Sequence, residues 1–240
     1  MSVMLECEPA RSVFVAVPAY DFRVDIDTIN SIFAACGLFS SLGMNFTVSY
    51  AAGNCYVDMA RNFLVRQFLE SDCTDLLFVD SDVACDAKVP ARLMMSRHPV
   101  CAALYPKKSE QEEWPVEFAI PEMGMAVPQD QSTDSEGFLR ALLLPTGMMR
   151  INRQVFIDML RLAPIKTYRE HDGSETIEFF HLATDGPRRF RWGEDLLFCK
   201  TWREIGGECH FLADADMAHM GRRKWTGNWL KSKIKAGMVK

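Results

Sequence analysis

Two aspartates that flank a single serine, Asp80 and Asp82 around Ser81, are the residues of this sequence best suited to bind a metal ion. They follow directly on a short apolar run, Asp75 to Val79, so a turn at the end of a buried strand would present both carboxylates. Hard divalent ions such as Mg²⁺ and Mn²⁺ take oxygen ligands and often share them with substrate phosphates. The alternative is that Asp82 or Asp86 only caps a following helix. We predict a metal site that includes Asp80 and Asp82.

A second acidic pair, Glu194 and Asp195, follows Gly193 at the start of a helical pattern. Acidic residues in a first helical turn are favoured by the helix dipole, which is a purely structural explanation. A carboxylate held at a cleft is also able to deprotonate or steady a reacting group. The residues alone leave both explanations open.

One histidine, His219, lies in a late segment that runs from Asp214 to Gly221. A neutral imidazole is a suitable third ligand for Mn²⁺. The alternative is an ordinary surface histidine or a hydrogen-bonded core histidine. We predict His219 as a third metal ligand beside the two aspartates.

Three cations are placed where they would meet phosphates. Arg61 lies on the polar side of a predicted helix, and Lys107 and Lys108 follow an apolar run that ends at Leu104. Such cations neutralise a diphosphate, and arginine does so with two parallel hydrogen bonds. The alternatives are a helical ion pair between Asp58 and Arg61 and two solvated lysines, which contribute little.

The segment from 222 to 240 is basic and contains no acidic residue. Its two tryptophans, Trp225 and Trp229, lie four residues apart. One interpretation is a basic tail that meets the phosphates of a donor, a nucleic acid or a membrane surface. The other is a basic helix that docks through its tryptophans. The cations of this segment are Arg222, Arg223, Lys224, Lys231, Lys233, Lys235 and Lys240.

The first half of the chain alternates between strand and helix patterns, which predicts a parallel, doubly wound sheet in an α/β fold. Ligands of such sheets bind beyond the carboxyl ends of the strands, where Asp80 and Asp82 lie. The predicted strands are Ser12 to Val17, Phe46 to Tyr50, Asp75 to Val79 and Pro99 to Leu104, and the helices are Ile26 to Leu42, Val57 to Phe68 and Asp86 to Arg97.

The second half has a weaker pattern. Residues 109–137 and Pro164 to Pro187 are rich in polar or turn-forming residues and are predicted as loops, with a short strand piece at Val116 to Ile120. We predict a strand from Phe138 to Leu144, a helix from Ile151 to Leu162, a helix from Glu194 to Gly206 and a last short strand from His210 to Leu212.

Composition restricts the class of protein. The 240 residues carry 32 acidic and 27 basic side chains, a formal charge of -5, which argues against a protein whose whole surface coats nucleic acid. No apolar run reaches the roughly 18 residues that a membrane span requires. The acidic amino terminus lacks the pattern of a secretion signal, and none of the eight cysteines forms a C-x-x-C pair. We therefore expect a single-domain cytoplasmic protein with free thiols.

The order of these motifs resembles the GT-A class of nucleotide-sugar glycosyltransferases, in particular the small single-domain forms of phages and large viruses. An isolated Asp-x-Asp is unspecific, whereas a series of ordered landmarks is much more so. The landmarks are Val17 to Tyr20, Ala60 to Asn62, Leu76 to Asp82, Tyr105 to Lys108, Pro145 to Met149, Gly193 to Asp195 and His219.

The resemblance implies a role for each matching position. Asp80 and Asp82 would form the metal motif for Mn²⁺ or Mg²⁺, with Asp82 the direct ligand and His219 completing the shell. Asp195 would be the catalytic residue beside Glu194. The residues expected around the nucleoside-diphosphate sugar, first of all a UDP-sugar, are Pro18, Ala19, Tyr20, Arg61, Asp80, Ser81, Lys107, Thr146 and Gly147.

The resemblance also implies a division of the chain and a reaction. Residues 12–108 would form a nucleotide-binding half, 109–221 an acceptor half and 222–240 a basic tail. The reaction would move a sugar to a hydroxyl of a glycan, a protein, a lipid or a hydroxymethylated DNA base. The alternatives are a nucleotidyltransferase, although the loop Pro18 to Arg23 lacks the glycines expected there, and a non-enzymatic module that binds nucleic acid or carbohydrate.

Overall fold

A seven-stranded sheet with helices on both faces forms the centre of the protein in the computed structural model, which describes residues 11–120, 125–127, 132–170, 173–184 and 191–237. Cys7, Pro187 and Lys240 lie outside the described residues. The helices are α1 (Ile26–Ser41), α2 (Val57–Glu70), α3 (Lys88–Met95), α4 (Arg153–Leu162), α5 (Glu194–Glu204) and α6 (Trp229–Lys235).

The strands divide into the central sheet and several small ones. The central sheet contains β1 (Ser12–Ala19), β2 (Asn45–Ala52), β3 (Asp75–Val79), β5 (Val100–Ala103), β8 (Phe138–Ala141), β9 (Met148–Asn152) and β14 (Cys209–Leu212). The remaining strands are β4 (Val83–Cys85), β6 (Ala119–Ile120), β7 (Met125–Ala126), β10 (Lys166–Arg169), β11 (Glu175–Glu178), β12 (Ala183–Thr184), β13 (Arg191–Trp192), β15 (Asp216–Met220) and β16 (Lys224–Asn228).

The central sheet is mostly parallel, in the order β2-β1-β3-β9-β5-β14-β8. Strands β1, β2, β3, β5 and β14 run in one direction, whereas β8 and β9 run in the other. The prediction of an α/β fold around a mostly parallel sheet is therefore confirmed. The alternation along β1 explains the layers, because odd residues such as Val13 and Val15 pack with α1 and α3, while Phe14 and Ala16 pack with α2.

The strand β9 differs from the prediction, which placed Ile151 at the start of a helix. The helix begins two residues later, at Arg153, and Asn152 caps it by accepting a hydrogen bond from the Gln154 amide. Arg150 lies in the middle of β9 and pairs with Asp75 of β3 over 2.6 Å, both side chains being almost completely buried. The charged Arg150 interrupts the apolar pattern of the strand, and its burial is compensated by Asp75 of β3 and by the carbonyl oxygen of His98.

The end of the chain is also more ordered than predicted. Beyond the predicted last strand, β15 pairs with β4 and β16 in a small antiparallel sheet, and α6 follows. Trp229 is only 6% exposed and packs in the main core. The second interpretation of the basic segment, a helix docked through its two tryptophans, is therefore only partly correct: Trp229 begins α6 and is buried, whereas Trp225 lies in β16. The predicted loop from Pro164 to Pro187 likewise contains β10, β11 and β12.

Two expectations from composition are met within the described residues. The seven cysteines that the structure describes are free thiols, as predicted. Among the described helices, none is both long enough and apolar enough to cross a bilayer.

Candidate active site

The carboxyl edge of the central sheet brings most of the predicted site residues together. Asp80, Ser81 and Asp82 follow β3 there, and Thr146 and Gly147 precede β9, which runs in the opposite direction and so begins at the same edge. The Asp80 amide donates to the carbonyl oxygen of Gly147 over 2.9 Å. This bond places the first aspartate beside the predicted sugar pocket.

Arg61 joins two acidic segments that are far apart in the sequence. It is 3% exposed and lies near the start of α2, with Nη2 2.9 Å from Oδ1 of Asp80 and Nε donating to Oε1 of Glu194 over 3.2 Å. Its guanidinium also lies over the ring of Phe78. Burial alone would lower the pKa of Arg61, but the carboxylates of Asp80 and Glu194 raise it, so the side chain stays charged.

Three buried polar atoms at this edge lack a hydrogen-bond partner within the part of the chain that the structure describes. They are Nη1 of Arg61, Oδ1 of Asp80, which lies close to Arg61 without hydrogen-bond geometry, and Oγ1 of Thr146. Burial raises the pKa of Asp80, while Arg61 opposes that shift. Buried polar atoms of native proteins nearly always have partners, so this group is suited to bind a polar ligand.

Asp82 lies between His219 and Lys108. Its Oδ1 is 3.6 Å from Nε2 of His219, and its Oδ2 contacts the ammonium group of Lys108. Nδ1 of His219 lies 2.9 Å from the carbonyl oxygen of Pro106, so Nδ1 must carry the proton and donate it. In the neutral imidazole the lone pair of Nε2 therefore faces the carboxylate, and a cation between the two would satisfy both. Burial opposes ionisation of Asp82, but the ammonium of Lys108, and His219 when its Nε2 is protonated and donates to the carboxylate, lower the pKa of Asp82 overall.

Asp195 has the pKa of a general base near neutral pH. Burial, and then the neighbouring charge of Glu194, raise the pKa of Asp195 to about 6, while Arg61 opposes the shift. Its Oδ1 accepts a hydrogen bond from the Leu196 amide over 2.8 Å. Because α5 begins at Glu194, the two carboxylates lie in the first turn, where the helix dipole favours negative charge. The structural explanation therefore applies, and the catalytic role of Asp195 stays a prediction.

Four of the nine residues predicted around the donor line a crevice of about 260 Å³. Pro18, Tyr20 and Ser81 line it together with both aspartates, whereas Ala19 is buried in β1 and offers only its carbonyl, which accepts from the Gly53 amide. The remaining predicted residue, Lys107, points to Glu113, with 3.4 Å between their charged atoms.

The role of two residues at this edge was not predicted. Lys107 and Lys108 were both predicted to meet phosphates, but only Lys108 contacts Asp82, and the sequence contains no signal that separates these neighbours. Tyr105 is buried, packs edge-on against the ring of His219 and touches Gly147, where an added Cβ would lie 2.4 Å from the phenol oxygen. Burial, and then the charge of Asp80, raise the pKa of Tyr105. Its position after β5 was the available signal, because that strand ends at the same edge.

Only two of the three predicted metal ligands face each other. Asp82 and His219 face each other, while Asp80 is engaged by Arg61. A tighter set, whose possible ligand atoms all lie within 4.8 Å of one another, is found elsewhere among the described residues and consists of His98, Asp134 and Glu136. The cleft nevertheless fits a divalent cation with a diphosphate, because it combines opposed Asp82 and His219 ligand atoms with unmatched buried polar atoms.

A larger cavity of about 630 Å³ lies between the start of α1 and the strands β15 and β16. Four of the charged residues that line it form ion pairs with each other, Lys224 with Asp27 over 2.6 Å and Lys231 with Asp216 over 2.9 Å. None of the predicted site residues lines it. The volume of a cavity was therefore not the criterion by which we chose the candidate active site.

Comparison with known proteins supports the fold. No protein-family profile matches the sequence, and no curated protein matches it. Among solved structures, A197 from STIV aligns over 91% of this chain and 94% of its own, with a TM-score of 0.52 and 16% identity. A glycosyltransferase involved in the glycosylation of the major capsid of PBCV-1 aligns over 64% of this chain and 69% of its own, with a TM-score of 0.33 and 11% identity. The first likeness concerns the fold alone, and the second is too distant to argue from.

Proposed function

We propose that this protein is a divalent-cation-dependent glycosyltransferase of the GT-A class, which transfers a sugar from a nucleoside-diphosphate sugar, first of all a UDP-sugar, to an acceptor hydroxyl. The observation that supports it most is the pairing of Asp82 with His219. Because Nδ1 of His219 is committed to Pro106, its Nε2 and the carboxylate face each other 3.6 Å apart, which suits two ligands of one cation.

Asp82 and His219 would hold Mn²⁺ or Mg²⁺, which as a Lewis acid stabilises the charge of a departing diphosphate. Asp80 orients Arg61, whose Nη1 is left to donate to the diphosphate or the ribose. Pro18, Tyr20 and Ser81 would border the nucleoside in the crevice. Thr146 and Gly147 would line the sugar pocket, since a glycine permits close approach to the backbone.

Asp195 is the proposed general base. A carboxylate with a pKa of about 6 is mostly ionised at neutral pH and still basic enough to take a proton from an acceptor hydroxyl in the transition state. Glu194, held by Arg61, keeps negative charge beside Asp195 and so maintains its raised pKa. This assignment corresponds to a direct displacement with inversion at the sugar carbon.

For the acceptor, we propose a hydroxyl of a glycan, a protein or a lipid in preference to one of DNA. DNA binding depends on cations that are free to contact phosphates. Three of the cations between 222 and 237 are instead paired within the protein, over 2.6 to 3.2 Å. These pairs are Arg223 with Glu110, Lys224 with Asp27 and Lys231 with Asp216.

The test is release of nucleoside diphosphate from a panel of UDP-, GDP- and dTDP-sugars with Mn²⁺, in wild type, Asp82→Asn and Asp134→Asn. We expect wild type and Asp134→Asn to turn over one donor at similar rates, and Asp82→Asn to lose roughly 100-fold or more, because one ligand of the cation is lost. No turnover and no metal-dependent nucleotide binding in wild type would refute the proposal. Full activity of Asp82→Asn would refute the metal assignment only.

A further inference from the structure

Lys108 neutralises the carboxylate at which the proposed cation would bind, but it contacts the oxygen of Asp82 that does not face His219. Its ammonium contacts Oδ2 of Asp82, while Nε2 of His219 lies 3.6 Å from the other oxygen of that carboxylate. Both charged side chains are only partly exposed, 34% for Lys108 and 38% for Asp82. The single carboxylate that faces His219 is therefore already neutralised by a group of this chain.

The backbone that carries Lys108 is held on both sides. The Pro106 carbonyl accepts from His219, the Ser109 carbonyl accepts from Nε1 of Trp225 over 3.0 Å, and the Lys107 amide donates to the Glu113 carbonyl over 2.8 Å. The ammonium is thus able to leave Asp82 by rotation of its own side chain, without movement of the loop.

Gly221 gives the stem of Lys108 a path beside β15. A Cβ at Gly221 would lie 3.2 Å from Cδ of Lys108 and 2.9 Å from Cζ3 of Trp225, so the stem runs directly over the glycine backbone. A lysine has a flexible stem and a compact charge, which suits it to exchange one anionic partner for another.

Resting on the proposed function, we propose that Lys108 exchanges with the divalent cation: its ammonium neutralises Asp82 when no cation is bound and moves onto the diphosphate of the donor when the cation binds. A divalent cation on Asp82 repels an ammonium at the same carboxylate, and the diphosphate bound to that cation is the nearest new anionic partner. Lys108 thereby competes with the free cation but assists the nucleotide.

The exchange predicts two effects of opposite sign for Lys108→Met, which keeps the stem and removes the charge. Without nucleotide, Mn²⁺ should bind about fivefold more tightly than to wild type, an effect of the size of a partly exposed ion pair. With saturating Mn²⁺, UDP should bind about tenfold more weakly, because a charge-assisted contact to phosphate is lost. Lys107→Met is the matched control, since Lys107 points to Glu113, and should change both affinities less than twofold.

The experiment is titration of Mn²⁺ followed by the EPR signal of the free ion, and calorimetric titration of UDP at saturating Mn²⁺, on the three intact proteins. A merely structural role of Lys108 would weaken both affinities or neither, and either result overturns the exchange. Absence of Mn²⁺ binding by both wild type and Lys108→Met also overturns it. If Lys108→Met binds Mn²⁺ more tightly but no variant binds UDP, competition with the cation is established and the proposed donor is wrong.

Discussion

Two regions of this protein bring carboxylates and histidines together, but they differ in how the protein satisfies the hydrogen bonding of these groups. The cleft at the carboxyl edge contains Asp80, Asp82, Asp195 and His219. The second region, which we call the loop cluster, consists of Asp134 and Glu136 in the loop before β8 and of His98 in the turn between α3 and β5. In the loop cluster Oδ1 of Asp134 accepts from the amides of Glu136 and Phe138, and Oδ2 lies 2.7 Å from Nε2 of His98. The cleft instead leaves buried atoms without partners.

The pKa values of two aspartates show the consequence. Although partial burial opposes it, hydrogen bonds from the backbone and from His98 lower the pKa of Asp134 to about 2. Burial and the charge of Glu194 raise the pKa of Asp195 to about 6. Hydrogen bonds within the protein stabilise the charged form of Asp134, whereas desolvation disfavours the charged form of Asp195. A pKa raised by desolvation makes Asp195 the better candidate for a functional group.

The largest expected effect separates the two regions by activity. Asp195→Asn removes the proposed base and should lower turnover by roughly 100- to 10,000-fold with little change in nucleotide affinity. Asp134→Asn should leave turnover within about twofold, because the loop cluster takes no part in the reaction. Steady-state rates of donor consumption with an acceptor present measure both. Equal losses in the two variants would mean that the comparison is mistaken.

The second effect concerns stability and has the reverse pattern. Asp134→Ala removes two backbone hydrogen bonds and the partner of His98, so the free energy of unfolding should fall by about 2 kcal/mol. Urea denaturation at pH 7 gives this value. Ser135→Ala, one residue away in the same loop, serves as the control. A loss below about 0.5 kcal/mol would show that the loop cluster does not hold the loop.

The third effect is an increase in the free energy of unfolding at high pH when Asp195 of the cleft is replaced by asparagine. Because the pKa of Asp195 is raised from 3.8 to about 6, the stabilising contribution of its protonated form is fully present below about pH 4 and is lost as the pH rises through 6. Asp195→Asn removes this loss, so it should be more stable than wild type by roughly 1 to 2 kcal/mol at pH 8 and by much less at pH 4. Denaturation curves at both values test the sign. A larger gain at pH 4 would contradict the shift.

The smallest effect is the stabilisation of the protein by Mn²⁺, and it shows which of the two regions binds the cation. At ten times its Kd, Mn²⁺ should stabilise wild type by about 1.4 kcal/mol, or about 4 °C in Tm for a chain of this size. Asp134→Asn should show the same rise and Asp82→Asn none. A rise that survives Asp82→Asn but disappears in Asp134→Asn would place the ion in the loop cluster.

The sequence determined the layers of the fold and the edge of the sheet at which the candidate site lies. Apolar runs such as Asp75 to Val79 define buried strands by composition alone, and a parallel sheet collects the residues that follow them. Asp82 and His219 were predicted as ligands of one metal ion, and they lie 3.6 Å apart, although His219 comes from β15 of the small antiparallel sheet. The strand β9 was not predicted, because the buried charge of Arg150 is paired with Asp75, a residue far away in the sequence that a local pattern does not reveal.

Only the tertiary structure shows which of the predicted cations lie at the acidic groups of the candidate site. The sequence does not distinguish Lys107 from its neighbour Lys108. In the turn after β5, Lys107 points to Glu113 and Lys108 points to Asp82. Local spacing records charge and periodicity, whereas burial and hydrogen bonding depend on groups brought from elsewhere in the chain. Arg61 illustrates both: its charge was visible in the sequence, and its position between Asp80 and Glu194 exists only because β3 and α5 end and begin at one edge.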